Sequence, residues 1–318
     1  MADRADPHAP HRPRVAFLGP PGTFTEQALH RQADLAAGEL VSCGSMADVL
    51  FAVHEGAADL GVVPIENAIE GTVNATIDTL AFDVDLLIQR ELVEPVTLNL
   101  LVPPGAALSG IRRVLSIPVA TAQCRSWLRE HLPEAEFRAA NSTAEAAETC
   151  AALADPTVAA IGNDRAAEVY GLQVAAAEIE AHPENRTRFV VVARHGIPPP
   201  SGHDKSSIVV YQEADRPGSL LAILQEFAAR SINLTLLLSR PTKTSLGDYC
   251  FLLELEGHLA DEVVGDCLRS LRATQADVKF LGSYPAAGER GPTRRAEVDR
   301  RRQLADAWLA ELRRQIAR

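Results

Sequence analysis

Apolar positions along the chain follow two rhythms, and the alternation between them predicts the fold. Short, β-branched runs of the buried-strand kind occur at Val15 to Leu18, Leu40 to Cys43, Leu60 to Val63, Leu86 to Val93 and Val96 to Val102. They recur at Val114 to Ser116, Val158 to Ile161 and Phe189 to Ala193. Between them the spacing turns helical: from Thr23 onward, Ser45 to about Gly56, Thr72 to Leu80, Ala122 to Leu132, Ser142 to Leu153 and Arg165 to Tyr170. Ser45, just before the second of these helices, suits an N-cap. Repeated strand–turn–helix units imply an α/β fold with parallel-rich sheets and helices on both faces. The run from Val96 carries the chain into a second lobe and the Phe189 to Ala193 strand returns it to the first. The expected form is two lobes with a cleft between them, the default place for a ligand.

Ile197-Pro198-Pro199-Pro200-Ser201-Gly202 reads as a linker. After it the pattern is strand (Ile208 to Tyr211), helix (Ser219 to Ala229), two strands (Ile232 to Leu238, Tyr249 to Leu255), helix (Glu262 to Leu271) and strand (Val278 to Leu281). That βαββαβ order is ferredoxin-like. The expected division is a disordered leader over 1–13, a two-lobed unit over 14–196, a linker over 197–204, the ferredoxin-like unit over 205–285 and an Arg-rich helical tail over 286–318. Leu304, Trp308, Leu312 and Ile316 make an apolar stripe on the tail, which suits packing on its own domain or a second subunit better than a membrane surface.

Length and composition narrow this further. A chain of 318 residues accommodates two or three domains, and 47% apolar with 23% charged residues is an ordinary globular balance. A net charge of −11 argues against sequence-independent nucleic-acid binding. The five cysteines are scattered without metal-ligand spacing and read as reduced thiols. No apolar run approaches a membrane span, and the first residues lack the apolar core of a signal peptide. The expected location is the cytoplasm.

Three stretches carry candidate chemistry. Asn185-Arg186-Thr187-Arg188-Phe189 places an amide, a hydroxyl and two guanidinium groups where a buried strand begins; such a loop either lines a pocket or hydrogen-bonds itself. Gly19-Pro20-Pro21-Gly22-Thr23 is a glycine turn opening a helix, whose free N–H groups suit a carboxylate or phosphate, although no nucleotide-binding Lys follows. Gly61 to Asn67, with Glu70-Gly71-Thr72-Val73 after it, ends a strand in polar residues.

Together these stretches resemble the prephenate dehydratases. The family's Thr-Arg-Phe signature is matched by Thr187, Arg188 and Phe189, its Val-Pro-Ile-Glu-Asn segment by Val63 to Asn67, and its Gly-Pro-x-Gly-Thr-Phe opening by Gly19 to Phe24. Independently, Asp215-Arg216-Pro217-Gly218 and Asn233-Leu234-Thr235 resemble the ACT domain, a regulatory module that binds amino acids. The resemblance implies a periplasmic-binding-protein-like two-lobed catalytic domain that converts prephenate to phenylpyruvate in phenylalanine biosynthesis, as a carbon–oxygen lyase without cofactor or metal. It implies Thr187 as the catalytic hydrogen-bond donor, with Asn67 and Gln123 beside it. Thr23 is then a candidate carboxylate clamp and Ser116 a hydrogen-bond donor. Arg188 either binds a carboxylate or braces Glu66, Glu66 supports from behind, and Phe189 lies at the substrate site or, more simply, in the core.

The match is incomplete. In the family's Ser-His-Pro-Gln-Ala…Gln-Cys segment, Ile117 and Val119 replace His and Gln while Ser116 and Gln123 remain, and Ala68 stands where serine is usual. The implied effector region comprises Asp215, Gly218, Ser219, Leu220, Leu221, Asn233, Leu234, Leu238, Ser239 and Arg240. There the family's Glu-Ser-Arg-Pro is Leu238-Ser239-Arg240-Pro241, and leucine cannot balance an ammonium group, so weakened or altered control by L-phenylalanine is expected. ACT domains pair between subunits, which implies a homodimer or homotetramer. Arogenate as substrate, decarboxylation without aromatisation, and a non-catalytic amino-acid-binding regulator are the alternatives. Intact Thr187-Arg188-Phe189 argues against the second of these, and intact Thr187 and Asn67 against the third.

Overall fold

The computed structural model describes residues 12–212, 216–242, 249–275, 277–288, 300, 304–305 and 307–315. They fall into two units, one ending at Gly196 and one starting at Ile197. In the first lobe of the first unit the order is β1 (Arg14–Leu18), α1 (Phe24–His30), α2 (Ala33–Ala36), β2 (Glu39–Cys43), α3 (Met46–His54), β3 (Leu60–Asn67), β4 (Gly71–Thr72), α4 (Asn74–Asp78) and β5 (Leu87–Pro95). The second lobe follows with β6 (Asn99–Val102), β7 (Arg113–Ser116), α5 (Pro118–Gln123), α6 (Arg125–His131), β8 (Glu136–Ala139), α7 (Thr143–Leu153), β9 (Val158–Gly162), α8 (Asp164–Tyr170) and β10 (Gln173–Ala176). The chain then returns to the first lobe as β11 (Arg186–Ala193).

Each lobe is built on a three-stranded parallel core extended by the strands next to the crossings. The first sheet runs β2-β1-β3-β11-β5, with β11 antiparallel to both neighbours; the second runs β10-β6-β9-β7-β8. Parallel strands need helical crossovers, and the helices cover the sheet faces as the sequence pattern implied. Ser45 and Ser142 cap α3 and α7 by accepting from the backbone N–H groups of Asp48 and Glu145 at 3.1 and 2.9 Å. Gly61 lets α3 press onto β3: a Cβ there would lie 2.9 Å from a Val53 methyl.

Several expectations are corrected. Thr72 is in the short strand β4, so the helix expected from Thr72 starts at Asn74 and passes into a π turn at Thr79–Asp83. The helix expected over Ala122 to Leu132 is two helices meeting at Cys124, and the first starts already at Pro118, a position whose fixed φ suits a helix start. The last strand of the unit begins at Arg186, not Phe189, so Thr187 and Arg188 are strand residues and not loop residues.

The second unit is β12 (Asp204–Tyr211), α9 (Ser219–Ala229), β13 (Leu234–Pro241), β14 (Tyr249–Glu256), α10 (Glu262–Thr274) and β15 (Asp277–Pro285). Its antiparallel sheet runs β13-β14-β12-β15, the ferredoxin-like order, with Ile208, Val210, Leu253 and Leu255 packed against Ile223, Phe227, Val264 and Leu271 of the helices. Asp204 ends the preceding turn by accepting from Ser201 and Gly202 N–H groups at 3.0 Å. Of the tail stripe, Leu304, Trp308 and Leu312 are exposed, and Ile316 lies outside the described residues. Among the described residues, no helix is long and apolar enough to cross a membrane.

Candidate active site

Strand β11 lies between β3 and β5, and the register places Thr187 opposite Asn67 on one side and Glu94 on the other. Directly opposed residues share a face of the sheet, here the face on which α1 packs. The Thr187 hydroxyl oxygen accepts a hydrogen bond from Asn67 Nδ2 at 2.9 Å. The same amide nitrogen donates to Asn185 Oδ1 at 3.0 Å, while Asn67 Oδ1 accepts from the N–H groups of Ile69 and Glu70, both at 2.9 Å. The Asn67 amide is therefore held inward, on Thr187 and Asn185. Asn185 in turn donates from Nδ2 to Gln123 Oε1 at 3.3 Å, at the end of α5 in the second lobe. Thr187, Asn67 and Gln123 are thus brought into one connected group through Asn185, a residue without an assigned role in the family resemblance.

Arg188 turns to the opposite face, since side chains alternate along a strand. Its Nε and Nη2 donate to Glu66 Oε2 at 3.1 and 3.0 Å, and Nη1 donates to Glu91 Oε2 at 3.2 Å. Arg188 thus bridges Glu66 and buried Glu91, the second an unforeseen partner of the pair. A bulge in β3 after this pair re-aims the chain, and Phe189 is 1% exposed, packed with Leu92, Val191 and Leu29. A side chain so enclosed cannot touch substrate, which corrects its placement in the binding set.

The glycine turn is also filled from within. Thr23 caps α1, accepting from Glu26 N at 3.3 Å and donating to Leu18 O at 2.9 Å, and is mostly buried. Gly22 N donates to Glu26 Oε2 at 2.5 Å, and Glu26 Oε1 pairs with Arg165 of α8 at 2.9 Å. The N–H group that the sequence offered to a ligand carboxylate is bound by the protein's own, so the clamp reading of Thr23 is corrected. Gly22 is needed here on two counts: its φ is +89°, and a Cβ would stand 3.0 Å from Ala166 Cα in the second lobe. Ser116 is 1% exposed and donates to Ile161 O at 3.3 Å. It borders a cavity of about 420 Å3 between α5, α6 and the edge strand β8, with Arg125, Arg129 and Phe137, which Thr187, Asn67 and Gln123 do not line.

Glu94, beside Thr187, was missed. Gln27 Nε2 donates to its Oε1 at 2.8 Å and Arg31 Nη1 lies 3.0 Å away, yet burial pushes the carboxyl above its ordinary range against these partners. A raised value means the fold prefers the protonated form. The contribution to stability is complete below the unfolded carboxylate value and is lost as pH rises through the folded one. Urea unfolding at pH values of about 4.5 and 7.5 is expected to show Glu94→Gln gaining on the parent as pH rises. The reverse trend would count against this assignment.

In the second unit, Gly218 has a φ of +90° before α9, where Ser219 Oγ donates to Arg216 O at 2.9 Å. Leu220 and Leu234 pack against the core and Leu221 is exposed. Asn233 donates to Glu256 Oε1 at 3.0 Å, while Leu238, Ser239 and Arg240 lie within β13, opposite Leu252, Phe251 and Cys250. Asp215 lies outside the described residues.

A two-lobed α/β unit crossed twice by its chain, followed by a ferredoxin-like unit, is the class of protein this fold and site define. The prephenate dehydratase family model matches residues 15–197 and the ACT domain model matches residues 206–273. The chain belongs to the prephenate dehydratase family. It is 44% identical to the prephenate dehydratase of Mycolicibacterium vanbaalenii, over 86% of this chain and 91% of that one. A solved prephenate dehydratase from Arthrobacter aurescens, in complex with L-Phe, matches with a TM-score of 0.84 at 38% identity, covering 95% of this chain and 99% of that one. GqqA, a quorum-quenching acylase, matches with a TM-score of 0.77 at 28% identity, over 86% and 98% of the two chains.

Proposed function

We propose that this chain is a dehydratase converting prephenate to phenylpyruvate, with Thr187 as the donor to the departing oxygen and Gln123 as a second donor. One observation carries the reading: Thr187 Oγ1 already accepts from Asn67, so its own proton is left to donate outward. Prephenate dianion and one proton give phenylpyruvate anion, carbon dioxide and water. The C–CO2 electrons move through the ring as the carbinol C–O bond breaks, and aromatisation drives the step, so the chemistry needs no electron-sink cofactor. The obstacle is the departure of hydroxide, which a fixed hydrogen-bond donor relieves. Gln123 Oε1 accepts from Asn185, and among the described residues its Nε2 has no partner, which leaves it free to hold substrate. Arg188, Glu66 and Phe189 support the strand that carries Thr187.

The reading assigns 14–196 to catalysis and 205–285 to the ACT domain, in a cytoplasmic protein that assembles as a homodimer or homotetramer through paired ACT domains. Purified protein given prephenate alone is expected to form phenylpyruvate. Inactivity on prephenate and on arogenate would overturn the reading.

The L-Phe complex of the Arthrobacter relative supports phenylalanine as the effector. Leu238, opposite buried Leu252, supplies neither charge nor acceptor, so weakened binding is expected. One lost charge-assisted hydrogen bond corresponds to roughly a 10-fold or greater change in affinity. Calorimetric titration should therefore show Leu238→Glu binding phenylalanine about tenfold more tightly than the parent. Tight binding by the parent would contradict this.

A further inference from the structure

We propose that Asn185 is a positioning residue that sets the direction of the two donors facing substrate, one from each lobe. The proposal rests on the reaction assigned above.

Asn185 is 1% exposed and held at the lobe junction by its backbone as well as its side chain. Its N–H donates to His182 O at 3.0 Å, and its carbonyl accepts from Val96 N at 3.0 Å. The second of these bonds ties the returning segment to the outgoing one. Gln123 is fixed to the returning segment too, its carbonyl accepting from Ala181 N at 2.9 Å. The side-chain bonds form a single directed series. Asn67 Nδ2 donates to both Thr187 Oγ1 and Asn185 Oδ1, and Asn185 Nδ2 donates to Gln123 Oε1.

Each end of that series is an acceptor already filled. Thr187 has its O–H left to give, and Gln123 has its Nε2 hydrogens left to give; among the described residues neither donor has a partner. Only a side chain that accepts at one atom and donates at the other can hold both ends in this sense. Asparagine does so; aspartate accepts only, and alanine does neither. With Asn185 absent, Asn67 Nδ2 loses one of the two side-chain acceptors between which it is held, and the Gln123 amide can turn its oxygen toward substrate, where an anion would meet an acceptor. A buried amide in such a network is also costly to leave unmatched, which keeps the arrangement unique.

The test is steady-state kinetics of the full chain with prephenate for Asn185→Ala, Asn185→Asp, Thr187→Ala and the Asn185→Ala/Thr187→Ala double variant, beside the parent. Asn185→Ala is expected to lower kcat by about 10 to 100-fold, the scale of a misplaced catalytic hydrogen bond. Added to Thr187→Ala it should cost far less than it does alone, because residues acting through one another are not additive. Asn185→Asp keeps the acceptor for Asn67 and loses the donor to Gln123. Its loss should fall on KM, by about tenfold, with kcat within about threefold of the parent. This near-isosteric variant serves where Asn185→Ala fails to fold. Full activity of Asn185→Ala, simple additivity in the double variant, or a kcat loss in Asn185→Asp equal to that in Asn185→Ala would each overturn the proposal while leaving the reaction assignment standing. Absence of turnover in the parent would overturn both.

Discussion

Replacing Thr187 by alanine is expected to lower kcat for phenylpyruvate formation by about 10² to 10⁴-fold, with KM changed only slightly. The hydroxyl sits where two strands fix the backbone on both sides, and its oxygen is occupied by the Asn67 amide at 2.9 Å. Removing it deletes the donor that stabilises the departing oxygen, an interaction made mostly in the transition state. That is why the loss belongs in kcat. Stability should barely change, by less than about 1 kcal/mol, because Asn67 Nδ2 keeps Asn185 Oδ1 as an acceptor and no amide is orphaned. Thr187→Ser restores the donor and is expected to recover activity to within about tenfold, the deficit reflecting its freer χ1. A fall in kcat of less than tenfold in Thr187→Ala, measured on protein that melts like the parent, would remove Thr187 from the chemistry.

The features that were legible in the sequence are those with an apolar period or a special residue. The buried strands of both lobes and the βαββαβ order are of this kind, as is the Gly22 turn. Strands β8 and β10 were not foreseen, for a physical reason: β8 is exposed along its whole length and β10 is at best half-buried, so neither needs an apolar alternation. The site was harder to read for a related cause. Thr187 and Asn67 carried a family signature, but a polar group filled by the chain itself looks in sequence like one waiting for a ligand. Glu26 on Gly22, Thr23 on Leu18 and Ser116 on Ile161 are all of that sort. Glu91 and Glu94 lay hidden at the end of a strand read for its leucines and valines; both are buried, and partners far away in the sequence make that burial tolerable. Asn185 lies in the same stretch as Thr187, yet its two partners, Asn67 and Gln123, are 118 and 62 residues away.

Arg188→Met should destabilise the first unit by about 3 kcal/mol, through Glu91 and not through substrate. The guanidinium is largely enclosed and bridges two carboxylates of unequal worth. Glu66 is 42% exposed on its side chain, and an ion pair that water can replace contributes about 0 to 1 kcal/mol, so Glu66→Gln should be nearly silent in urea unfolding. Glu91 is 2% exposed, and without Arg188 its carboxylate loses the cation that faces it in a place water does not reach. Converting the buried pair together, as Arg188→Met with Glu91→Leu, removes the buried charge along with its cation and should recover most of the loss. The double variant also separates the two roles that the sequence left open for Arg188. If it is stable and turns over prephenate with an unchanged KM, the guanidinium is a brace behind the strand that carries Thr187. A stable double variant whose KM rises by about tenfold or more would mean that Arg188 reaches a substrate carboxylate after all.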